Sequence, residues 1–316
     1  FNQCRDPLYP MQMTSSVRWN LAAGLAFGAV TSVLVWRHLR RSRGLYISRL
    51  YIYPIKSCRG LSVKEVKLTP EGFENDREFI VVRLVSGKAV GLTQRDMPKL
   101  ALIAPDRPSA AGMVVRKEGM PPLTLPGTSS GTARRYRVEV PRIWGDGDGA
   151  DGVDLGDEAA AWFCSALEEQ DLRLLRFVGT RPSPEPEKFG SGSTKFSDGF
   201  SLLVTSEASL TEMGLKSGLG QTAERMRPNL ILGGCARHQE DCWSSLRWRR
   251  GAVSAELQLP KPCARCTIPR VNPTTGKVGP DPIKVLKTYR SGRDLMRETT
   301  PHTAVYEQKK GEIFFG

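Results

Sequence analysis

Short apolar runs separated by turns dominate the first half of the chain. β-Branched and aromatic residues come in brief stretches bounded by Gly, Pro, Asp and Asn, at Leu45–Ile47, Val63–Leu68, Phe79–Val85 and Tyr136–Trp144. Such runs favour strands, and the turn residues between them favour antiparallel pairing. The pattern predicts a small antiparallel β domain over residues 45–178, with one clear helix at Ala159–Leu167 behind acidic residues that suit a helix start.

The second half begins near a Pro-, Gly- and Ser-rich stretch. Residues 181–193 contain three prolines, two glycines and three serines, which predicts a linker or loop. Beyond it, Ser206 is a candidate cap for a helix through Leu215, and Arg227–Gly233 has the composition of a strand that ends at two glycines. We therefore predict a second domain over residues 179–316. The fold class that follows is α+β, mainly β.

An apolar run near the N-terminus stands apart from both domains. It extends from Leu21 to Trp36 and is followed by a basic cluster at residues 37–43. As a helix it would span about 24 Å, somewhat less than the ~30 Å hydrocarbon core, a gap that local thinning and snorkelling arginines can close. A secretory signal peptide would place its basic residues before the apolar run. The pattern predicts a single-pass anchor at residues 19–38, with the large domains on the cytosolic side.

Residues 1–18 precede this anchor, and the first ten of them need not be native, because Met11 and Met13 are the plausible starts.

Composition and charge exclude several classes of function. The 316 residues are 40% hydrophobic, enough for two modest cores, and the seven cysteines show no disulfide-like ladder, which suits a reducing compartment. The net charge of +13 comes from scattered basic residues without a nucleic-acid-binding motif, so we predict no nucleic-acid partner. No dinucleotide fingerprint, P-loop, haem motif or iron–sulfur cysteine set is present in the sequence. A chain without these motifs cannot take electrons from NADH by itself.

The most informative motif is the stretch from Lys261 to Gly276. Cys263 follows a proline that holds the backbone extended, and the nearby cations Lys261 and Arg265 favour a thiolate, which is a good soft-metal ligand. Residues 267–271 have the composition of a strand, and residues 272–276 that of the turn that ends it.

Three interpretations remain open from the residues alone. Cys263 and Cys266 could be reduced structural cysteines, or a dithiol redox pair. They could also form half of a zinc site whose other half is Cys235, His238 and Cys242.

The same motif resembles the cysteine signature of the MOSC domain, the C-terminal module of molybdenum-cofactor sulfurases. Six further segments agree with this family and its N-terminal β-barrel domain in the right order: Tyr53–Gly60, Asn75–Arg77, Thr93–Pro98, Phe196–Gly199, Ser206–Leu210 and Arg227–Asn229. Together with the predicted anchor, they are most similar to the mitochondrial amidoxime-reducing components. The resemblance implies a MOSC N-terminal β-barrel-like domain followed by a MOSC β-barrel domain, the latter ending here before the family's usual last strand.

The resemblance also implies a cofactor and its contacts. Cys263 is expected to be the protein's ligand to the molybdenum of a molybdopterin cofactor, with Asp198 as the second catalytic residue near the metal. The expected cofactor-binding residues are Lys56, Ser57, Arg77, Ser197, Arg227 and Asn229. The cations among them suit the anionic phosphate of the cofactor, and Asn229 would bond the pterin edge.

The activity implied is the reductive removal of oxygen from N–O bonds. Amidoximes, hydroxamic acids and hydroxylamines are the expected substrates, with nitrite as a further candidate. Electrons are expected from NADH through cytochrome b5 reductase and cytochrome b5, and the expected location is the mitochondrial outer membrane. Two alternatives stay open: a molybdenum-cofactor carrier or sulfurase-type module, and a zinc-binding structural protein.

Overall fold

The computed structural model describes residues 44–127, 133–141, 143–145, 148–250, 253–297 and 299–316. Its strands are β1 Tyr46–Ile52, β2 Leu61–Val63, β3 Leu68–Thr69, β4 Gly72–Phe73, β5 Phe79–Val85, β6 Lys88–Gly91, β7 Ala104–Pro105, β8 Met113–Arg116, β9 Leu123–Leu125, β10 Arg135–Glu139, β11 Ala150–Asp154, β12 Leu172–Val178, β13 Val204–Ser206, β14 Leu230–Gly233, β15 Ser245–Arg250 and β16 Val253–Gln258. Its α-helices are α1 Asp157–Leu167, α2 Pro186–Phe189, α3 Glu207–Ser217, α4 Thr222–Met226, α5 Pro282–Leu286, α6 Gly292–Leu295 and α7 Thr303–Gln308. These residues therefore form a mixed α/β structure with more strand than helix.

A closed barrel lies in the first half of the chain. Its strands follow the order β10-β11-β12-β5-β6, and the ring closes through a parallel contact between β10 and β6. Helix α1 packs its buried residues, spaced three and four apart, against the β5 and β12 side of this barrel. Phe163 and Leu167 of the helix share one core with Val81 and Leu174 of the strands. The prediction of this helix at Ala159–Leu167 is confirmed.

A second sheet joins the start of the described chain to residues 204–233. It has the order β13-β14-β1-β2, so the first strand pairs antiparallel with β14, nearly two hundred residues later. Helix α3 follows β13 directly, and Ser206 caps it by accepting a hydrogen bond from the Ser209 backbone N–H, as predicted. This sheet places the turn after β1 beside the segment that precedes β14, where four of the predicted site residues lie.

The strand predicted within the cysteine motif was wrong. Residues 267–271 are not a strand: Ile268–Arg270 form a 3₁₀ turn, because Pro269 lacks the N–H that a strand ladder needs and Arg225 draws together the carbonyls of Pro269 and Val271. The turn predicted after it is confirmed, since the Gly276 N–H donates to the Asn272 carbonyl at 2.8 Å.

Three predicted strands are shorter than their apolar runs. The run at residues 63–68 is divided between β2 and β3, and the run at residues 136–144 leaves the barrel after β10. The strand predicted from Arg227 begins only at Leu230, because Arg227 ends helix α4 in the left-handed conformation. In each case a turn interrupts a run that composition alone does not divide.

The anchor predicted at residues 19–38, and the segment before it, lie outside the described residues. Within the described part of the chain, no helix has the length and apolarity needed to cross a membrane.

Candidate active site

One cleft of about 1110 Å³ is lined by every residue that the sequence analysis assigned to a site. These residues come from five segments distant in sequence: Lys56, Ser57, Arg77, Ser197, Asp198, Arg227, Asn229 and Cys263. The cleft lies between the barrel and the second sheet, and its volume is slightly above the usual range for small-molecule sites, about 300–1,000 Å³. The fold therefore brings the predicted residues together, while their individual roles stay predictions.

Arg77 and Arg227 form one wall of the cleft and lie against the buried ring of Tyr53, which follows β1. The guanidinium of Arg77 lies 4.3 Å from the ring centroid and that of Arg227 lies 4.2 Å from it, so two cations stack on one aromatic ring. The Tyr53 hydroxyl donates to the Pro228 carbonyl at 3.1 Å, which fixes the ring. A Cβ on Gly60 would lie 2.3 Å from a ring carbon, so this motif position must be glycine for the ring to fit.

Three of the predicted site residues have left-handed backbones. The φ angles are +67° at Ser57, +44° at Arg77 and +58° at Arg227. Non-glycine residues in this region cost about 1–3 kcal/mol each and persist where neighbouring contacts impose them. Here Gln94 donates its side-chain N–H to the Ser57 carbonyl at 2.6 Å, and the Arg77 N–H donates to the Tyr53 carbonyl at 2.8 Å. Such strain is typical of residues whose side chains must point into a site.

The guanidinium of Arg77 donates to three acceptors, of which the Arg227 carbonyl is the most distant at 3.4 Å. Its Nη1 donates to Asp76 at 2.6 Å and to the Asn229 Oδ1 at 2.7 Å. Asn229 itself is 1% exposed, and its amide also accepts from the Leu203 N–H and donates to the Tyr51 carbonyl. Most of the hydrogen-bonding capacity of Asn229 is thus used inside the protein, where it orients Arg77. A direct contact from Asn229 to a ligand stays a prediction.

The opposite wall carries an ion-pair cluster around Asp198. Lys56 and Arg95 both donate to this carboxylate, Lys56 in a short contact and Arg95 at 3.1 Å. Burial opposes ionisation of Asp198, but these two cations outweigh it and hold its pKa well below its usual range. Asp198 is therefore a carboxylate near neutral pH, which can accept hydrogen bonds but has no proton to donate. Phe196, fully buried in the barrel core, anchors the loop that carries it.

Arg95 connects this cluster with the cysteine motif. Burial lowers its pKa, but Asp198 and then the Cys266 sulfur favour the charged form strongly enough that the pKa of Arg95 is raised overall. Cys266 thus contacts an arginine that also forms an ion pair with Asp198. This places the second cysteine of the motif beside the ion-pair cluster.

Cys263 is half-buried at the edge of the cleft. Its backbone is paired with the last residues of the chain: the N–H donates to the Gly316 carbonyl at 2.7 Å, and its carbonyl accepts from the Phe315 N–H at 3.1 Å. The Nη1 of Arg265 lies 3.0 Å from the Cys263 sulfur, while its Nη2 donates to the Met226 carbonyl at 3.0 Å. The sulfur is thus held next to a cation on a fixed piece of backbone, as a metal-ligating thiolate requires.

The two walls together carry more positive than negative charge. Each wall has two cations and one carboxylate. The two walls together therefore have two positive charges more than negative ones. The cations are Lys56, Arg77, Arg95 and Arg227, and the carboxylates are Asp76 and Asp198. Among the described residues, the Arg227 guanidinium donates no hydrogen bond, and Arg95 keeps one buried nitrogen without an acceptor. The site suits a ligand with at least one anionic group.

The affinity of the cleft for sulfate is expected to fall as the pH rises through about 8. Burial lowers the pKa of Lys56 to about 8, although Asp198 acts against this. The ammonium is charged below that pH and neutral above it, so one cation is lost from the wall. Isothermal titration calorimetry of the purified chain with sulfate, whose charge is constant in this range, measures the change.

Two controls separate this effect from unfolding. A Lys56→Arg variant should bind sulfate with little pH dependence, because a guanidinium remains charged. Since the folded pKa of Lys56 lies below its ordinary value, its contribution to stability rises with pH between the two values and cannot cause unfolding there. Equal pH dependence in the wild type and in Lys56→Arg would contradict the assignment.

The sequence analysis missed Arg95 as a site residue, and it also missed two residues that support the site from behind. Arg181, 4% exposed, stacks 4.0 Å from the Trp144 ring and donates to the Ser197 carbonyl at 2.8 Å and to the Asp198 carbonyl at 3.2 Å. Trp144 donates its indole N–H to the same Ser197 carbonyl at 3.0 Å. Together they fix the loop that presents Asp198 to Lys56. Their acceptors are main-chain carbonyls, which leave no signal in a sequence.

The second half of the hypothetical zinc site is not assembled. Of the residues that the structure describes, no three His, Cys, Asp or Glu side chains lie where they could hold a metal ion together. His238 is instead 2.6 Å from a Glu212 oxygen and packs on Tyr289 and Phe315. Cys235 is a partly buried thiol whose pKa burial raises to about 12, which disfavours a metal-binding thiolate.

Comparison with known families and proteins agrees with these motifs. A model of the MOSC N-terminal beta barrel domain matches residues 44–170, and a model of the MOSC domain matches residues 191–312. Mitochondrial amidoxime-reducing component 1 of Mus musculus is 32% identical over 292 residues, which cover 86% of this chain and 81% of that protein.

Two further relatives extend the comparison. Mitochondrial amidoxime reducing component 2 of Homo sapiens is 29% identical over 86% of this chain and 83% of its own length. A molybdenum cofactor sulfurase of Drosophila grimshawi is 30% identical over 78% of this chain but only 30% of its own length.

Proposed function

The chain belongs to the MOSC-domain family, with relatives named amidoxime-reducing components, and from this premise we propose that it is a molybdenum-cofactor-dependent reductase of N-hydroxylated compounds. The substrate class comprises amidoximes, hydroxamic acids and hydroxylamines. The observation that carries the proposal is the position of Cys263 on the rim of a cleft with two uncompensated cations. A single thiolate next to a binding site for an anion is what a molybdopterin cofactor requires of a protein.

The residues present fit that cofactor. A soft metal needs a sulfur ligand, which Cys263 can provide. In the hydrogen bonds of the described residues, the one side chain that contacts this sulfur is the guanidinium of Arg265. The cofactor's phosphate needs cations with free donors, which Arg227, Arg95 and the hydroxyl of Ser57 offer. The Ser197 hydroxyl lines the same cleft. We propose that these residues hold the cofactor at the boundary between the two walls.

When bound, the cofactor supplies the redox centre at which two electrons and two protons convert N–OH into N–H and water. The chain's own residues would position the substrate and balance the charges around it. Asp198, held as a carboxylate, can accept a hydrogen bond from a substrate N–H or O–H but cannot supply a proton. Lys56, whose pKa burial lowers to about 8, keeps a proton on Nζ near neutral pH and neutralises that carboxylate.

Electrons are proposed to reach the site from NADH through cytochrome b5 reductase and cytochrome b5. The sequence has no dinucleotide-binding fingerprint of its own, and its net charge of +13 suits an acidic electron donor. The mitochondrial outer membrane, with the domains facing the cytosol, is the proposed location. The names of the relatives and the predicted anchor at residues 19–38 support it.

A reconstituted assay tests the proposal. The full chain in detergent is mixed with NADH, cytochrome b5 reductase, cytochrome b5 and benzamidoxime, and benzamidine is measured. We expect benzamidine formation that stops when cytochrome b5 is omitted. A chain that contains molybdenum cofactor and passes it to a cofactor-free acceptor enzyme, yet forms no benzamidine, would support the carrier alternative instead.

A further inference from the structure

An aromatic wall lies on the side of Cys263 away from the cationic clusters. Phe189 and Phe200 meet edge to face with ring centroids 5.8 Å apart, and both line the cleft. We use the name aromatic wall for these two residues. The rings are half-buried, so each keeps surface that a ligand can cover. Such an apolar surface, in a cleft that also carries charged groups, suits an occupant with an apolar part.

The aromatic wall is next to the cysteine motif. Phe189 packs against the same buried cluster as Ala264, the residue after Cys263. The Nζ of Lys261, two residues before Cys263, lies 5.1 Å from the Phe189 ring centroid. On the other side, Arg265 reaches from the Cys263 sulfur to Met226, the neighbour of Arg227. Cys263 therefore lies between the aromatic wall and the cationic wall that fits the cofactor.

The loop that presents Phe189 is closed and braced. Its base is pinned by a Pro182–Ser193 bridge and by the Thr194 N–H, which donates to the Arg181 carbonyl at 2.9 Å. At its tip, helix α2 carries Lys188, which donates to Gln308 of helix α7. The stretch predicted as a linker is thus a fixed side of the cleft, and the position of the Phe189 ring is set before a ligand arrives.

Lys261 brings an uncompensated charge to the aromatic wall. Lys188 and Lys309, the other lysines nearby, each have a carboxylate partner, at 3.6 Å in Glu185 and at 2.9 Å in Glu312. Lys261 has no carboxylate within ion-pair distance among the described residues. Glu185 and Glu312 also attract it from farther away, so three lysines share two carboxylates and one positive charge is in excess. A cationic group placed on the aromatic wall would therefore be repelled, and an anionic one attracted.

We propose that the aromatic wall and Lys261 form the substrate pocket beside Cys263, and that this pocket selects N-hydroxylated compounds with an aromatic body and prefers anionic to cationic ring substituents. This inference rests on the proposed function and adds the substrate class within it. The N–OH group would point toward Cys263 and Asp198, and the ring would lie against Phe189. Lys261 would meet a substituent at the far end of the ring.

Kinetics with four amidoximes test the pocket. Benzamidoxime, its para-carboxylate and para-trimethylammonium derivatives, and acetamidoxime are compared by kcat/KM in the reconstituted system. We expect Phe189→Ala to lower the ratio of benzamidoxime to acetamidoxime by roughly three- to tenfold, mainly through KM, because an aromatic contact is lost. Phe200→Ala tests the same wall from its other ring, should Phe189→Ala fail to fold.

The charge preference has a matched pair of variants. Lys261 and Lys188 both lie 5.1 Å from the Phe189 centroid, but only Lys188 has a carboxylate partner. Lys261→Met should reduce the preference for the para-carboxylate over the para-trimethylammonium compound by roughly two- to fivefold. Lys188→Met should leave that preference unchanged. Equal effects of the two lysine variants, or none of either, would overturn the charge selection.

The same kinetics distinguish a wrong assignment of the pocket from a wrong assignment of the function. If the wild type reduces the amidoximes and neither phenylalanine variant changes the aryl-to-alkyl ratio, the pocket assignment is wrong and the function stands. If the wild type reduces none of them, the function is wrong, and saturation-transfer NMR with the para-carboxylate decides the pocket. Binding weakened by Phe189→Ala then supports an aromatic pocket, and absence of binding refutes it.

Discussion

Replacement of Cys263 by serine is expected to lower the rate of amidoxime reduction by at least about 100-fold. Loss of a residue that only supports a metal ligand costs about 10- to 100-fold, and loss of the ligand itself should cost more. Serine is close in size to cysteine but presents a harder oxygen that is a poor ligand for a soft metal. The chain should still fold, because Cys263 is held by backbone bonds to Phe315 and Gly316 that serine keeps. The measurement is kcat in the reconstituted system.

Cys266 provides the matched control. It lies three residues along the same segment, is also half-buried and also lines the cleft, but its sulfur pairs with Arg95, which in turn binds Asp198. Cys266→Ser should keep its activity within about tenfold of the wild type, as expected for a supporting residue. Equal losses in the two variants would indicate a cysteine pair acting together, and full activity in Cys263→Ser would remove Cys263 from the site.

Replacement of Arg77 by methionine is expected to lower the free energy of unfolding by about 3–5 kcal/mol, because it leaves a buried carboxylate without its partner. Asp76 is the carboxylate, with a side chain only 2% exposed, and Arg77 donates to it at 2.6 Å. The same variant removes one of the two cations stacked on Tyr53, so cofactor binding should be lost as well. Urea denaturation followed by circular dichroism measures the first effect, and molybdenum content the second.

Arg83 is the control for this prediction. It lies in β5, a few residues after Arg77, and pairs with Glu169 at 2.7 Å, but both side chains are more than a third exposed. An exposed pair contributes roughly 0–1 kcal/mol, so Arg83→Met should move the urea midpoint very little. If Arg77→Met is no more destabilising than Arg83→Met, then Arg77 does not compensate a buried charge and the account of the Tyr53 wall is wrong.

Local signals in the sequence identified the elements but not their assembly. Helix α3 was predictable because Ser206 is a good cap ahead of it, and β5 because its β-branched run has no turn residue. The pairing of β1 with β14 could not be predicted, because hydrophobic periodicity and composition do not indicate which distant strand a given strand will pair with. Yet this pairing is what places Tyr53 between Arg77 and Arg227.

Backbone conformation and main-chain contacts account for the other differences. The run at residues 267–271 is rich in β-branched residues, but Pro269 and the arginine Arg225 beneath it convert the run into a 3₁₀ turn. Arg181 lies in a stretch whose composition indicates a linker, and its acceptors are carbonyls of residues 195–198. Motif resemblance identified the residues that face the cleft, whereas the residues that support them from behind became visible only in the fold.

Metal analysis of the purified full chain tests the central point most directly. The account predicts about one molybdenum atom per chain in the wild type and in Cys266→Ser, and none in Cys263→Ser, because the proposed ligand is the Cys263 sulfur, whereas the Cys266 sulfur pairs with Arg95. Zinc in place of molybdenum, retained in Cys263→Ser, would contradict it and leave a structural metal protein rather than a reductase.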